Sequence, residues 1–224
     1  MSENITPVVT PRLVTLRSRL PSARIFLRSP KKTDSYSLTC RAHDPECTKY
    51  LPWIANPKTP ITVESNERQI KNWRASSFVK EIFFCIVLLD KTEAKQDPSQ
   101  DRLATIGETG LAPLDLDKKT AEVGVMLASG AIRGKGYAVE ALDMCFAYGF
   151  DVLGLGSIYV NTDRDNEPMK GLMEKKFGVE AVWREKQLDW SFATDRKWWD
   201  QRQAEKGEQK MIVDDKVEDW FEEK

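Results

Sequence analysis

The sequence has one histidine, His43, no CxxC pair among its four cysteines, no run of 18 apolar residues and almost no net charge. Each shortage removes a class of chemistry. One imidazole weakens any Ser-His-Asp or Cys-His couple, because His43 would have to serve every proton transfer. Cys40, His43 and Cys47 lie close together but fall short of the four ligands a structural zinc site uses, so no metal is expected. Without a long apolar run there is no candidate membrane-spanning helix. The first residues also lack the apolar stretch of a secretory signal, which makes the cytoplasm the expected location. Residues 1–20 are rich in Thr and carry Arg12, Arg17 and Arg19, a composition faintly like a mitochondrial presequence. Pro7, Pro11 and Pro21 interrupt the helix that such a presequence needs. Thirty-four basic against 35 acidic residues give a formal charge of -1, so neither nucleic acid nor an anionic membrane is an expected partner.

What is present is an ordinary globular composition. Hydrophobic residues make up 41% and charged residues 31% of 224 positions, enough to bury a substantial core without disulfides. Charge is uneven at the ends: residues 1–35 hold seven Lys/Arg against two acids, and residues 201–224 hold five against eight. The expected organisation is therefore a flexible basic extension over residues 1–22, one domain over 23–200 and a charged tail over 201–224. In that tail Val213, Val217, Trp220 and Phe221 fall on one helical face. A short amphipathic helix is expected there, docked on the protein's own surface or offered to a partner, including a second copy in a homodimer.

Periodicity supplies the elements. Residues 23–27 read as a strand and 32–42 as a helix; 50–60, with three prolines, reads as a loop, and a helix ends near Ser77. Residues 81–89 and 106–111 are apolar strands flanking a polar stretch over 90–102 that suits an exposed hairpin loop, and 120–127 continues the meander. A helix over 136–150, a strand over 157–161 and a helix over 167–176 ending at Gly178 follow. Closing strands are expected over 179–190 and around Trp198 and Trp199, whose rings are expected to pack. Strand, helix, strand across 120–161 implies one parallel pair in an otherwise antiparallel sheet.

The segment ASGAIRGKGYAVEAL, residues 128–142, places two glycines and two cations between an apolar strand and an amphipathic helix. Such a turn lets free backbone N-H groups converge on an anion, phosphate above all, with Arg133 and Lys135 adding charge at the same mouth. It is not the G-x-G-x-x-G dinucleotide pattern, because Val139 stands where the third glycine belongs. Nor is it a P-loop, because Gly136 rather than Ser or Thr follows Lys135. A glycine-rich turn with no ligand remains the alternative reading of these residues alone.

Arg133-Gly134-Lys135-Gly136-Tyr137-Ala138 resembles the R/Q-x-x-G-x-G/A signature of the GCN5-related N-acetyltransferases, in the RimJ/RimL-like branch of ribosomal-protein and spermidine acetyltransferases. The likeness extends over residues 23–199, through RIFLRSP, the YLPW loop, IGETGL, EVGVML and DRDNEPMKGLMEKKFGV. The resemblance implies an α+β (α/β) fold: a mixed, mostly antiparallel twisted sheet with helices on both faces and a parallel strand pair that splays. It also implies acetyl-CoA between those strands. Val125, Met126 and Leu127 would pair with the pantetheine arm, amides from Arg133 through Gly134, Lys135, Gly136 and Tyr137 to Ala138 would hold the pyrophosphate, and Asn166 would help place the arm. Met169 departs from the pattern, which has Ser there. No tyrosine occurs from 161 to 178, so the tyrosine acid of many relatives has no counterpart in that stretch.

Acetyl transfer needs a neutral amine, hence a base or a water chain ending on one. Glu108 and Glu122 are the candidates, either catalytic or simply solvated or Arg-paired strand residues. Tyr50 and Trp53 are candidate acceptor-pocket residues, with Trp53 as a core plug the competing reading. The resulting expectation is acetyl transfer to a primary amine, favouring a protein N-terminal α-amine. A polyamine-like small amine or a catalytically silent acetyl-CoA-binding module are the alternatives.

Overall fold

The computed structural model describes residues 11–90, 105–128 and 130–219. Nine strands form one sheet in the order β7-β8-β6-β5-β4-β3-β2-β1-β9. They are β1 (Arg12–Ser18), β2 (Ile25–Arg28), β3 (Ile82–Leu88), β4 (Gly107–Asp115), β5 (Thr120–Leu127), β6 (Ser157–Asp163), β7 (Val182–Arg184), β8 (Asp189–Asp195) and β9 (Val213–Asp219). The helices are α1 (Ser35–Ala42), α2 (Pro45–Thr48), α3 (Pro52–Ala55), α4 (Val63–Ser76), α5 (Tyr137–Ala147), α6 (Glu167–Leu172) and α7 (Arg196–Lys206). β5 and β6 are parallel, and the other strand pairs are antiparallel. The expected fold class is thus the observed one: a mixed sheet whose single parallel pair is linked through α5.

Period-two alternation explains why the sheet has two dry faces. On β3, Ile82, Phe84, Ile86 and Leu88 join the main core with Tyr137, Ala141, Met144 and Phe146 around α5. The intervening Phe83 and Cys85 face the other side, where Phe83 stacks on Trp73 of α4 at 3.8 Å. Helices therefore cover both faces.

Beneath α1 the second face holds a buried ion pair. Asp34 is fully buried and accepts hydrogen bonds from Arg28 Nη1 and Nη2 at 2.6 and 2.8 Å and from the Lys31 amide at 2.7 Å. Burial alone would raise its carboxyl, but these bonds outweigh it and hold the carboxyl below the usual range. Asp34→Ala is expected to cost about 3 kcal/mol in a denaturant titration, because the largely enclosed Arg28 guanidinium would lose its partner. A depressed folded value means this contribution is complete above about pH 4, the unfolded carboxyl's range. It disappears as pH falls through the lower folded value, so Asp34→Asn should flatten that part of the stability profile.

Both ends of the chain differ from the sequence-based expectation. Residues 12–18 are not an extension but β1, which buries Val14 and Leu16. Val213 and Val217 lie on β9 rather than on an amphipathic helix; Trp220 and Phe221 lie outside the described residues. A spacing of four suits a strand face as well as a helix face, and the partner strand decides between them. In the β1–β9 register Arg12 stands opposite Asp219 and Arg17 opposite Asp214, so the basic and acidic ends lie side by side.

The Trp198-Trp199 stretch is also helical, within α7. Asp195 caps the helix by accepting from the Trp198 amide at 2.7 Å, and Gly207 with φ +54 follows its last residue. The rings do pack as expected: Trp199 is fully buried, donates from Nε1 to Asp151 and lies beside Phe146 and Phe150. The polar hairpin stretch lies mostly outside the described residues.

Candidate active site

β5 and β6 pair only over Thr120↔Ser157, Ala121↔Ile158 and Glu122↔Tyr159, while both strands continue, β5 to Leu127 and β6 to Asp163. They splay beyond Glu122, and the sheet opens there. Backbone directions on β5 follow from its other neighbour, β4. The Met126 carbonyl lies against Gly107, and the Gly124 carbonyl accepts from Thr109 Oγ1 at 2.6 Å. Alternation then turns the main-chain groups of Val125 and Leu127 to the open side. Of the three residues expected to meet an extended ligand arm, Val125 presents its backbone to the gap and Leu127 its amide, the Leu127 carbonyl being taken by Arg133 and Cys47, whereas Met126 spends its backbone on β4.

A cleft of about 620 Å3 fills the opening. It takes in Gly124, Val125, Met126 and Leu127 from β5, and Arg133, Gly134 and Ala138 from the glycine loop and α5. Asn161 and Asn166 line it from the far side, and Tyr50 and Trp53 from the α2–α3 segment. Position 124 is open: a Cβ placed there would meet no atom within 4 Å.

The loop leading into α5 is shaped by three left-handed glycines, Gly130 at φ +69, Gly134 at φ +75 and Gly136 at φ +88, a conformation that side chains rarely adopt. Gly136 begins the helix without a side-chain cap, so first-turn amides have no intrahelical partner. Three of the expected loop residues differ in detail. The Arg133 amide is already bonded to the Gly130 carbonyl, which leaves residues 134–138 of those expected to donate. The Arg133 guanidinium turns back to the carbonyls of Glu46 at 2.8 Å and Leu127 at 3.4 Å, strapping α2 to the end of β5. Tyr137 is fully buried with Arg24 over its ring, so only its main chain can meet a ligand. Lys135 accepts from Arg24 through its carbonyl at 2.6 Å, which fixes the loop to the start of β2.

The two candidate glutamates separate. Glu108 accepts from Arg41 Nη2 at 3.2 Å, and Arg41 is itself buried and donates to Thr105. Burial raises the Glu108 carboxyl and Arg41 partly offsets it. The Arg-paired reading therefore describes Glu108, which does not line the cleft. Glu122 does line it. Its Oε2 accepts from Asn161 Nδ2 at 2.5 Å; burial raises its carboxyl, with Asn161 and Arg184 opposing and Asp189 reinforcing.

Asn166 caps α6, accepting from the Met169 amide at 3.2 Å and donating to Thr162 Oγ1 at 2.7 Å. Trp53 is 67% exposed, which overturns the core-plug reading, and Tyr50 lies beneath the Lys49 ammonium at 5.2 Å. Sequence reading missed Cys47, Asn161 and the β7–β8 turn at Gln187 and Leu188. Asn161 was within reach, since it shares a β6 face with Tyr159, the partner of Glu122. The Cys47 thiol is pushed up to about 11 by burial and Asp44, so it is a packed thiol bonded to the Leu127 carbonyl. Among the described residues no group of three or more His, Cys, Asp or Glu is placed to hold a metal, and no helix is long and apolar enough to cross a membrane.

The family model described as "Acetyltransferase (GNAT) domain" matches residues 24–176, from β2 through the splayed pair to the turn after α6. The chain belongs to the GNAT family. Its relatives include human alpha/beta-tubulin-N-acetyltransferase 9, 26% identical over 52% of this chain and 55% of that protein. The N-acetyltransferase 9-like protein of Caenorhabditis briggsae is 35% identical over 31% of this chain and 35% of that protein. The matches thus span about half or less of these curated relatives. Among solved structures, Mycobacterium smegmatis RimJ in complex with CoA-disulfide superposes with a TM-score of 0.62 at 18% identity, over 84% of this chain and 88% of that one. At that identity the likeness shows the GNAT fold alone. The GNAT match ends at residue 176, so β7, β8, α7 and β9 lie outside it.

Proposed function

We propose that the chain transfers acetyl from acetyl-CoA to a primary amine, with a protein N-terminal α-amine as the favoured acceptor. The observation that carries this is the backbone of Val125 and the amide of Leu127, turned to the opening and not paired with β6, beside the uncapped start of α5. An extended amide-bearing arm adds to such an edge as a missing strand would, and a diphosphate suits the amides of residues 134–138. Acetyl-CoA has both parts and, when bound, supplies an activated acetyl group as a thioester.

The chain's own residues do the rest. Glu122 stands at the point of divergence and takes the proton of the incoming ammonium at a carboxylate oxygen. An α-amine with a pKa near 8 gives up that proton about 200-fold more readily at neutral pH than a lysine-like amine near 10.4, and a base whose carboxyl is raised accepts it better. Tyr50 and the exposed Trp53 form an open wall where the peptide behind the amine can lie. The human relative's name specifies a protein acceptor, which supports a polypeptide over a small amine.

The test is an acceptor panel read by mass spectrometry: peptides with free N-termini, N-blocked peptides containing lysine, and polyamines, each with acetyl-CoA. Free N-terminal peptides are expected to be acetylated at least 10-fold faster than either other class. Preference for polyamines would replace the acceptor assignment, and acetyl-CoA binding without turnover on any amine would overturn the reaction.

A further inference from the structure

One residue on the cleft has no role in the reaction as drawn so far. Asn161 sits on β6, two residues beyond the last β5–β6 pair, and reaches back across the opening to Glu122 on β5. Its Nδ2 donates to Glu122 Oε2 at 2.5 Å, while its Oδ1 is buried with no hydrogen-bond partner among the described residues. The amide cannot be reversed, because its oxygen would then face a carboxylate oxygen.

An enclosed acceptor without a partner costs folding free energy, and an apolar side chain of the same shape would avoid that cost. Among the described residues, what the amide gains is its bond to Glu122. We propose that Asn161 is a positioning residue for the base: its N-H holds the Glu122 carboxylate in its ionised form and fixes its second oxygen toward the incoming amine. This rests on Glu122 being the base. It adds that the opening between the strands carries its own device for keeping that base charged.

The charged surroundings set the direction of the effect. Glu122 is faced by Asn161 from β6, by Arg184 from β7 and by Asp189 from β8, and Glu46 of α2 lines the same cleft. Arg184 and Asp189 form their own two-bonded pair at 2.6 and 2.7 Å, so their charges largely cancel at Glu122. Asn161 is then the strongest influence favouring the carboxylate against burial. Without it the carboxyl rises, and the enzyme needs a higher pH to work.

Two variants test this, each read as kcat/KM against pH with one peptide acceptor at saturating acetyl-CoA. Asn161→Leu removes the donor with little change of shape. It should move the midpoint of the acid limb up by about one pH unit, which means roughly a 10-fold loss below the midpoint and recovery above it. Asn161→Asp keeps the shape and an acceptor but sets a second carboxylate beside Glu122, so its limb should move at least as far. Melting temperature and acetyl-CoA affinity are measured alongside. A loss equal at every pH in Asn161→Leu, or an unmoved limb in Asn161→Asp, would overturn the proposal. Glu122→Gln separates the two ideas. If it abolishes the limb while the Asn161 variants leave theirs in place, the base stands and only the role of Asn161 fails. If the limb survives Glu122→Gln, the base assignment itself is wrong.

Discussion

Glu122→Gln is expected to lower kcat/KM for the amine by about 10²–10⁴-fold at neutral pH and to remove the acid limb of its pH profile. Glutamine keeps the shape of the side chain, and its carbonyl can still accept from Asn161 Nδ2, so the cleft geometry should persist. Only the proposed proton acceptor is lost. The matched comparison is Glu108→Gln. Glu108 lies on the neighbouring strand with its carboxylate against the buried Arg41 guanidinium, so neutralising it leaves a buried cation without its counter-charge. That change should appear mainly as a stability loss of about 3–5 kcal/mol, with the acid limb still present in the folded fraction. Rate against pH and denaturant midpoints measured on both variants check the pair of outcomes. A Glu108→Gln enzyme without an acid limb would reverse the assignment.

Gly124→Trp is expected to abolish acetyl-CoA binding in calorimetry and to cut turnover by more than about 100-fold, with the melting temperature shifted by less than about 2 °C. Space and propensity together make this a selective change. A Cβ at position 124 meets nothing within 4 Å, so a side chain there leaves the strand into the cleft. Tryptophan also suits an extended strand better than glycine does. The face it projects from carries Glu122 and Met126, whereas Ala121 and Val123 point into the core. A variant that melts normally and still binds the thioester would mean that the arm runs elsewhere than between β5 and β6.

The central architecture was legible because local pattern and tertiary demand agreed there. Residues 120–127 alternate because one face of β5 meets α5 and the other the cleft, and the expected strand matches the observed one residue for residue. Gly178 ends the helical stretch after α6 in a left-handed conformation, as its position implied. The ends were not legible, since Val213 and Val217 satisfy two periodicities and only contact with β1 selects one. The tryptophan pair misled in another way. Bulky aromatics favour strands in general, but Asp195 before them and Gly207 after them are helix boundaries, and those boundaries outweighed propensity. At the site, the glycine loop announced itself through composition. The partnerships of Arg133, Glu108 and Asn161 depend on residues 39 to 87 positions away, which no local pattern encodes.

Joining residues 12 and 219 in one register has a practical outcome for anyone handling this protein. A fluorophore or surface tether placed at position 12 or 219 leaves from a single corner of the sheet, four or five strand spacings, about 19 or 24 Å, from β5. Reporters on those two positions would therefore sense each other more strongly than they sense the cleft. A short linker across that corner, with new termini cut elsewhere, would yield a circular permutant whose working cleft is far from the graft.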